Sequence, residues 1–127
     1  MSIYTSLGVT VSSKIADGFR ELLGTLSHDV PDIASLAEDG SITAIWQDRN
    51  HFNEYDSKDY ATVMGFLERY PENLYCYEVL TEGYEPMVRG THGLNFSTKI
   101  VYDVYGKRFD PRGGIVSRSI RRRRGKR

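Results

Sequence analysis

The sequence predicts an α+β fold, in which two amphipathic helices pack on one face of a four- to six-stranded, mainly antiparallel sheet. Several short segments rich in β-branched and aromatic residues alternate apolar with polar positions, as strands do. Two longer segments repeat apolar residues every three or four positions, as helices do. The predicted order, β-α-β-(β)-α-β-(β)-β, begins in the order of the ferredoxin-like split βαβ fold, which we therefore expect as one topology.

The first two elements are a strand and a helix. Residues 3–11 predict a strand, because Leu7, Val9 and Val11 alternate with smaller or polar residues. Ser12 or Ser13 can cap a helix over residues 13–26. The apolar stripe of this helix consists of Ile15, Phe19, Leu22, Leu23 and Leu26.

The middle of the chain predicts shorter elements. After a polar break, residues 32–37 predict a short helical turn, and the Glu-Asp-Gly sequence that follows predicts a reverse turn. Residues 41–47 predict a second strand. Residues 51–55 are expected to form a short third strand that pairs back on it.

The second helix is predicted to begin at Asp56 or Ser57 and to be stopped by Pro71. Its apolar stripe consists of Tyr60, Val63, Met64, Leu67 and Tyr70. Residues 73–80 predict a strand in the middle of the sheet, because apolar or aromatic residues lie on both of its faces. Further strands are expected over residues 87–91 and 97–105.

Charge divides the chain into two parts. Residues 1–106 hold sixteen acids and seven Lys or Arg, whereas residues 107–127 hold ten Lys or Arg and one acid. We therefore predict an acidic domain over 1–106 and a flexible, disordered basic tail over 107–127. The cations expected to contact nucleic acid or another polyanion are Arg118, Arg121, Arg122, Arg123, Arg124, Lys126 and Arg127.

The acidic domain is expected to engage a protein partner through Glu78, Glu82, Tyr84 and Glu85. In its size, its Tyr-rich acidic body and its lack of chemical motifs, the chain resembles small phage-encoded accessory proteins, anti-defence and anti-CRISPR proteins among them. The resemblance implies an alternative function, an inhibitor whose acidic body blocks the nucleic-acid-binding surface of a host complex. Pairing of tail and body could also join copies into a homo-oligomer.

The sequence predicts no catalytic residue, metal or cofactor. It contains neither a dinucleotide-binding nor a phosphate-loop motif, and the spacing of His51, Glu54, Asp56 and Asp59 matches no recurrent zinc or calcium pattern. A second alternative remains, a small metal-dependent hydrolase or nuclease that uses His51 or His92. The favoured interpretation is a non-enzymatic binding protein with a protein-binding body and a polyanion-binding tail.

Cys76 is the one cysteine, which excludes an internal disulfide and favours a reducing, cytoplasmic compartment. Its position within an apolar segment predicts that it is buried. No stretch approaches the 18 apolar residues of a membrane span, and the N-terminus lacks the features of a signal peptide, so we expect no membrane association.

Overall fold

A computed structural model describes residues 3–91, 108–110 and 114–116. The elements within this part, in chain order, are β1 (Tyr4–Val11), α1 (Ser13–Thr25), β2 (Ile33–Leu36), β3 (Ile42–Asn50), α2 (Lys58–Leu67), a short 3-10 helix (Glu72–Leu74), β4 (Tyr75–Thr81), β5 (Met87–Gly90), β6 (Arg108–Asp110) and β7 (Gly114–Val116). The fold is α+β, as the sequence predicts.

The strands form one sheet in the order β5-β4-β1-β3-β2-β6-β7, and the described pairings are all antiparallel. β1 is the central strand of the five-stranded body, because it pairs with β3 along one edge and with β4 along the other. β3 has one extra residue where it passes Ser6, and Asp48 adopts a positive φ of 48° there. This bulge shifts the register, and the pairing continues beyond it between Thr5 and Arg49 and between Tyr4 and Asn50.

Both helices pack on the same face of the sheet. Leu7, Val9 and Val11 point to this face, together with the side chains that pair beside them on β3 and β4. Ser12 caps α1 by accepting a hydrogen bond from the Lys14 amide at 3.2 Å. The core is completed by the buried helical residues Ile15, Ala16, Phe19, Leu23, Tyr60, Val63, Phe66 and Leu67.

The loop between α1 and β2 is anchored by a buried carboxylate. Asp59 lies in the first turn of α2, and its Oδ2 accepts backbone N–H groups of Ser27, His28 and Asp29 at 3.1, 2.8 and 2.7 Å. Burial acts to raise the pKa of Asp59, but these three hydrogen bonds and nearby His28 outweigh it and hold the pKa below its ordinary value. The carboxylate therefore joins α2 to the end of α1.

Two local predictions from the sequence are wrong. Residues 32–37, predicted as a helical turn, contain β2, which pairs with β3 over four residues. Residues 51–55, predicted as a strand, form turns, because His51 adopts a positive φ of 58° and Asn53 closes a turn with its own side chain. β4 begins at Tyr75, two residues after the predicted start.

The predicted strands over residues 87–91 and 97–105 have different outcomes. The first is confirmed as β5, and the second lies outside the described residues. β6 and β7 fall within the stretch that the sequence assigns to the tail, so the boundary at residue 106 stays a prediction. Cys76 is buried, as expected. Among the described residues, no helix has the length and apolar character needed to cross a membrane.

Candidate functional site

An open cavity of about 500 Å³ lies at the edge of the sheet where β1 begins and β4 ends. We call it the tyrosine cleft. Its lining residues are Ile3, Thr5, Phe52, Asn53, Glu54, Tyr55, Tyr60, Val79, Thr81, Tyr84, Glu85 and Met87. Seven of the twelve are aromatic or aliphatic, and three of these seven are tyrosines. Concave sites of this kind are typical ligand-binding surfaces.

The back wall of the cleft is the helix-side face of the sheet. Thr5 of β1 pairs with Thr81 of β4, and their hydroxyl oxygens lie 3.3 Å apart. Val79 pairs in turn with Met87 of β5, and Met87 is 49% exposed. The two helices cover this face farther along the strands, so the cleft is the part of the face that they leave uncovered.

The floor of the cleft is aromatic and continuous with the core. Phe52 is buried and stacks on Trp46 with ring centroids 5.7 Å apart. The Tyr60 and Phe52 rings are perpendicular, with their centroids 5.0 Å apart. Trp46 is itself fixed, because its indole N–H donates to the Asp29 carbonyl at 2.6 Å. The floor is therefore held by the same loop that Asp59 anchors.

The loop between β3 and α2 carries the outer wall. The Asn53 side-chain oxygen accepts the backbone N–H groups of Tyr55 and Asp56 at 2.8 and 2.9 Å, which closes an Asx turn. Ser57 then caps α2 by accepting the Tyr60 amide at 3.1 Å. The turn presents the Tyr55 ring at the surface, where it is 87% exposed.

The opposite wall is the turn between β4 and β5. Tyr84 lies in this turn and is 70% exposed, and its amide donates to the Thr81 carbonyl at 3.0 Å. Gly83 adopts a positive φ of 81°, which the tight turn requires. Glu82 ties the turn to β1, because its Oε1 accepts the Tyr4 amide at 2.9 Å and its own amide donates to the Tyr4 carbonyl. Tyr55 and Tyr84 are thus exposed on walls built from separate segments.

The charged residues that line the cleft are both acids. Glu54 and Glu85 are exposed, and no Lys, Arg or His is among the described lining residues. Burial, nearby Tyr77 and the Glu54 carboxylate raise the pKa of the Tyr60 hydroxyl, so this ring stays neutral at physiological pH. The cleft therefore combines aromatic faces with negative charge and suits a cation that has an apolar body.

The residues that the sequence selects for partner binding fall in two places. Tyr84 and Glu85 line the cleft, and Glu82 lies in the same turn. Glu78 pairs with Gly8 and lies on the face of β4 opposite to Val79, so it is on the other side of the sheet. The seven cations of the tail lie outside the described residues.

The residues considered for metal or acid–base chemistry do not converge. Asp59 is directed to backbone N–H groups, and His51 lies at the surface with its Nδ1 3.9 Å from Asp56. His92 lies outside the described residues. Within the described part, no three His, Cys, Asp or Glu side chains are grouped so that they could hold a metal ion.

Comparison with known proteins adds no functional assignment. No family model matches the sequence, and no match is found among curated proteins or among solved structures.

Sequence reasoning missed three of the aromatic residues of the cleft, Phe52, Tyr55 and Tyr60. Phe52 and Tyr55 fall where a strand was expected, and Tyr60 reads as part of a helical core stripe. A usable signal was present, because Tyr55 and Tyr84 each stand between polar or turn-forming neighbours, where an apolar ring has no core to join.

Proposed function

We propose that the protein is a non-enzymatic binding protein, whose body binds a cationic segment of a protein partner in the tyrosine cleft. The basic tail is proposed to contact nucleic acid or another polyanion. The observation that carries the proposal is the composition of the cleft, in which exposed tyrosines stand beside Glu54 and Glu85 without a compensating cation among the described lining residues.

The chemistry favours Arg or Lys side chains as ligands. A guanidinium or ammonium group is attracted to the face of an aromatic ring, by about 0.5 to 2 kcal/mol depending on its exposure. The aliphatic stem of the same side chain can cover apolar surface such as Ile3 and Met87. Glu54 and Glu85 then lie where they can pair with the charge.

The neighbouring edge of the sheet offers backbone hydrogen bonds as well. β5 is the last strand on its side of the described sheet, and its Met87 and Val88 side chains are 49% and 52% exposed. An extended partner segment that pairs with such an edge would gain main-chain hydrogen bonds while its side chains reach alternate faces. Met87 joins this edge to the cleft.

We also infer that the body has the ferredoxin-like arrangement. Two observations support it: the strands β1 to β4 lie in the order β4-β1-β3-β2, and β3 separates the parallel strands β1 and β2. The two helices pack on one face of this sheet. In this arrangement the cleft lies beyond the end of the helical layer and is open to solvent.

Binding of short peptides tests the proposed function. Fluorescence anisotropy at physiological ionic strength would compare a nonapeptide of alternating Arg and Leu with versions that carry Gln or Glu in place of Arg. We expect the Arg peptide to bind and the Glu peptide to show no binding. Tyr84→Ala should weaken binding about tenfold, since it removes a ring face and apolar contact, and Glu85→Gln about threefold.

Two matched variants control for composition and charge. Tyr4→Ala removes a partly exposed tyrosine that is not part of the cleft, and Glu21→Gln removes an exposed carboxylate of α1. Both should change the affinity less than twofold. Equal weakening by Tyr4→Ala and Tyr84→Ala, or equal binding of the Arg and Gln peptides, would contradict the proposal.

A further inference from the structure

We infer that, in the free protein, the tyrosine cleft is occupied by the end of the same chain, Arg124 to Arg127. The inference rests on the proposed function of the cleft, because it uses the same preference for cations. It adds the identity of a resident ligand and a means of regulation.

The charges of the two parts are opposite and nearly equal. Residues 1–106 carry nine more acids than bases, and residues 107–127 carry nine more bases than acids. The cleft offers negative charge to the basic tail, because Glu54 and Glu85 line it beside the exposed tyrosines. A ligand covalently tied to its site has a high effective concentration, so even weak contacts populate the bound form.

The position of β7 sets which residues can reach the cleft. Val116 pairs with Arg108, which pairs with Ser35, so β7 lies four strand spacings from β1, or about 19 Å. Ser35 pairs with Thr43, and Thr43 pairs with Thr10 of β1. Along β1, the cleft is displaced from this level by the five residue steps from Thr10 to Thr5, or about 17 Å. The straight path from Val116 to Thr5, on the β1 side of the cleft, is therefore about 26 Å.

An extended chain covers this path only near its end. Eight residues lead from Val116 to Arg124 and span about 26 to 29 Å, and eleven residues lead to Arg127 and span about 36 to 40 Å. Arg118 follows Val116 by two residues, or about 7 Å, and Arg121 by five residues, or about 17 Å. Neither can reach the cleft. The distal cations Arg124, Lys126 and Arg127 are therefore the occupants.

Occupation of the cleft couples the two binding activities of the protein. A tail bound along a polyanion is withdrawn from the cleft, which leaves the cleft open to a cationic partner segment. By linkage, a partner bound in the cleft releases the tail and raises its affinity for the polyanion by the same factor. Either ligand therefore promotes binding of the other.

Paramagnetic relaxation in the full chain tests the inference. Gly125→Cys supplies a site for a nitroxide, and Cys76 is buried and should stay unlabelled. We expect enhanced relaxation at the amides of Tyr55, Tyr84 and Met87. Addition of a 20-bp DNA duplex should abolish the enhancement, because the phosphates compete for the tail.

Two triple variants that remove the same charge provide the matched comparison. Arg124→Gln, Lys126→Gln and Arg127→Gln together should abolish the enhancement at the cleft and strengthen binding of the Arg nonapeptide severalfold. Arg118→Gln, Arg121→Gln and Arg122→Gln together should leave the enhancement in place. Equal effects of the two variants would overturn the inference. They would show that the net charge of the tail matters and that Arg124 to Arg127 hold no special place in the cleft.

Other outcomes separate this inference from the proposed function. No enhancement at the cleft, with unchanged peptide binding by the distal variant, would overturn the inference and leave the proposed function standing. Failure of every variant to bind the Arg peptide would overturn both. Enhancement that appears between ¹⁵N-labelled and nitroxide-labelled molecules in a mixed sample would assign the tail to a second copy and contradict occupation by the same chain.

Discussion

Replacement of Gly90 with alanine is expected to lower the free energy of unfolding by about 3 kcal/mol, or to detach β5 from the sheet. Gly90 adopts a φ of 103°, which side-chain-bearing residues rarely adopt. A Cβ atom there would lie 2.5 Å from the Cys76 Cα and closer still to the Tyr75 carbonyl oxygen. Both neighbours are backbone atoms of β4, so neither can move without disturbing the central pairing.

Two other glycines separate the contributions of strain and overlap. In Gly83→Ala the added Cβ has no atom within 4 Å, but the residue must keep a positive φ. We expect this strain to lower the free energy of unfolding by about 1 kcal/mol. Gly65→Ala lies within α2 with open space around it, and it should stabilise the protein by about 0.5 to 1 kcal/mol. Urea denaturation measures all three, and hydrogen exchange at β5 detects local detachment. A loss at Gly90 no greater than at Gly83 would contradict the close approach of β5 and β4.

Replacement of Asp59 with asparagine is expected to lower the free energy of unfolding by about 2 to 4 kcal/mol at neutral pH. Asp59 is buried and is the acceptor for three backbone N–H groups. The neutral amide is a weaker acceptor, and rotation of its NH₂ group toward the loop would place donors against donors. Because this loop also holds Trp46 beneath the cleft, the Arg nonapeptide should bind less tightly as well.

The stability difference between wild type and Asp59→Asn should depend on pH. The pKa of Asp59 in the folded protein lies below its unfolded value. The contribution of the carboxylate is therefore complete above the unfolded pKa and disappears as the pH falls through the folded pKa. Denaturation curves should show a constant difference near pH 7 that shrinks once the pH is below about 4.

An exposed acid provides the control for this effect. Asp17→Asn on α1 removes a carboxylate at the surface and should change stability by less than about 0.5 kcal/mol. A difference for Asp59→Asn as small as that for Asp17→Asn, or one that grows on acidification below pH 4, would contradict the role of Asp59 as a backbone acceptor.

The elements with strong apolar periodicity could be predicted from sequence. The stripes of α1 and α2 and the alternation in β1 place the buried residues on the face that the structure gives them. The apolar faces of the segment around Cys76 place β4 inside the sheet, between β1 and β5. In these segments the local pattern and the burial of side chains favour the same conformation.

The segments that were predicted wrongly lack such agreement. Residues 33–36 have little strand pattern of their own, and pairing of their backbone with β3 makes them a strand. At residues 51–55 the hydrophobic pattern suggested a strand. The Asn53 side chain instead satisfies two backbone N–H groups in a turn.

The tyrosine cleft could be predicted only in part. Tyr84 and Glu85 were selected for the charge and aromatic character of their turn. Their neighbours in space come from the start of β1, the loop before α2 and the start of β5. Long-range pairing such as Thr5 with Thr81 brings these segments together, and a single sequence gives no register for it.

The most direct test of the central claim is a ¹⁵N NMR titration of the full chain with the Arg nonapeptide. We predict that chemical-shift changes at saturation concentrate at Tyr55, Tyr84, Glu85 and Met87, because these residues form the walls of the tyrosine cleft. Changes spread evenly over exposed acids such as Glu21 and Glu38, with the cleft residues unmoved, would contradict the claim.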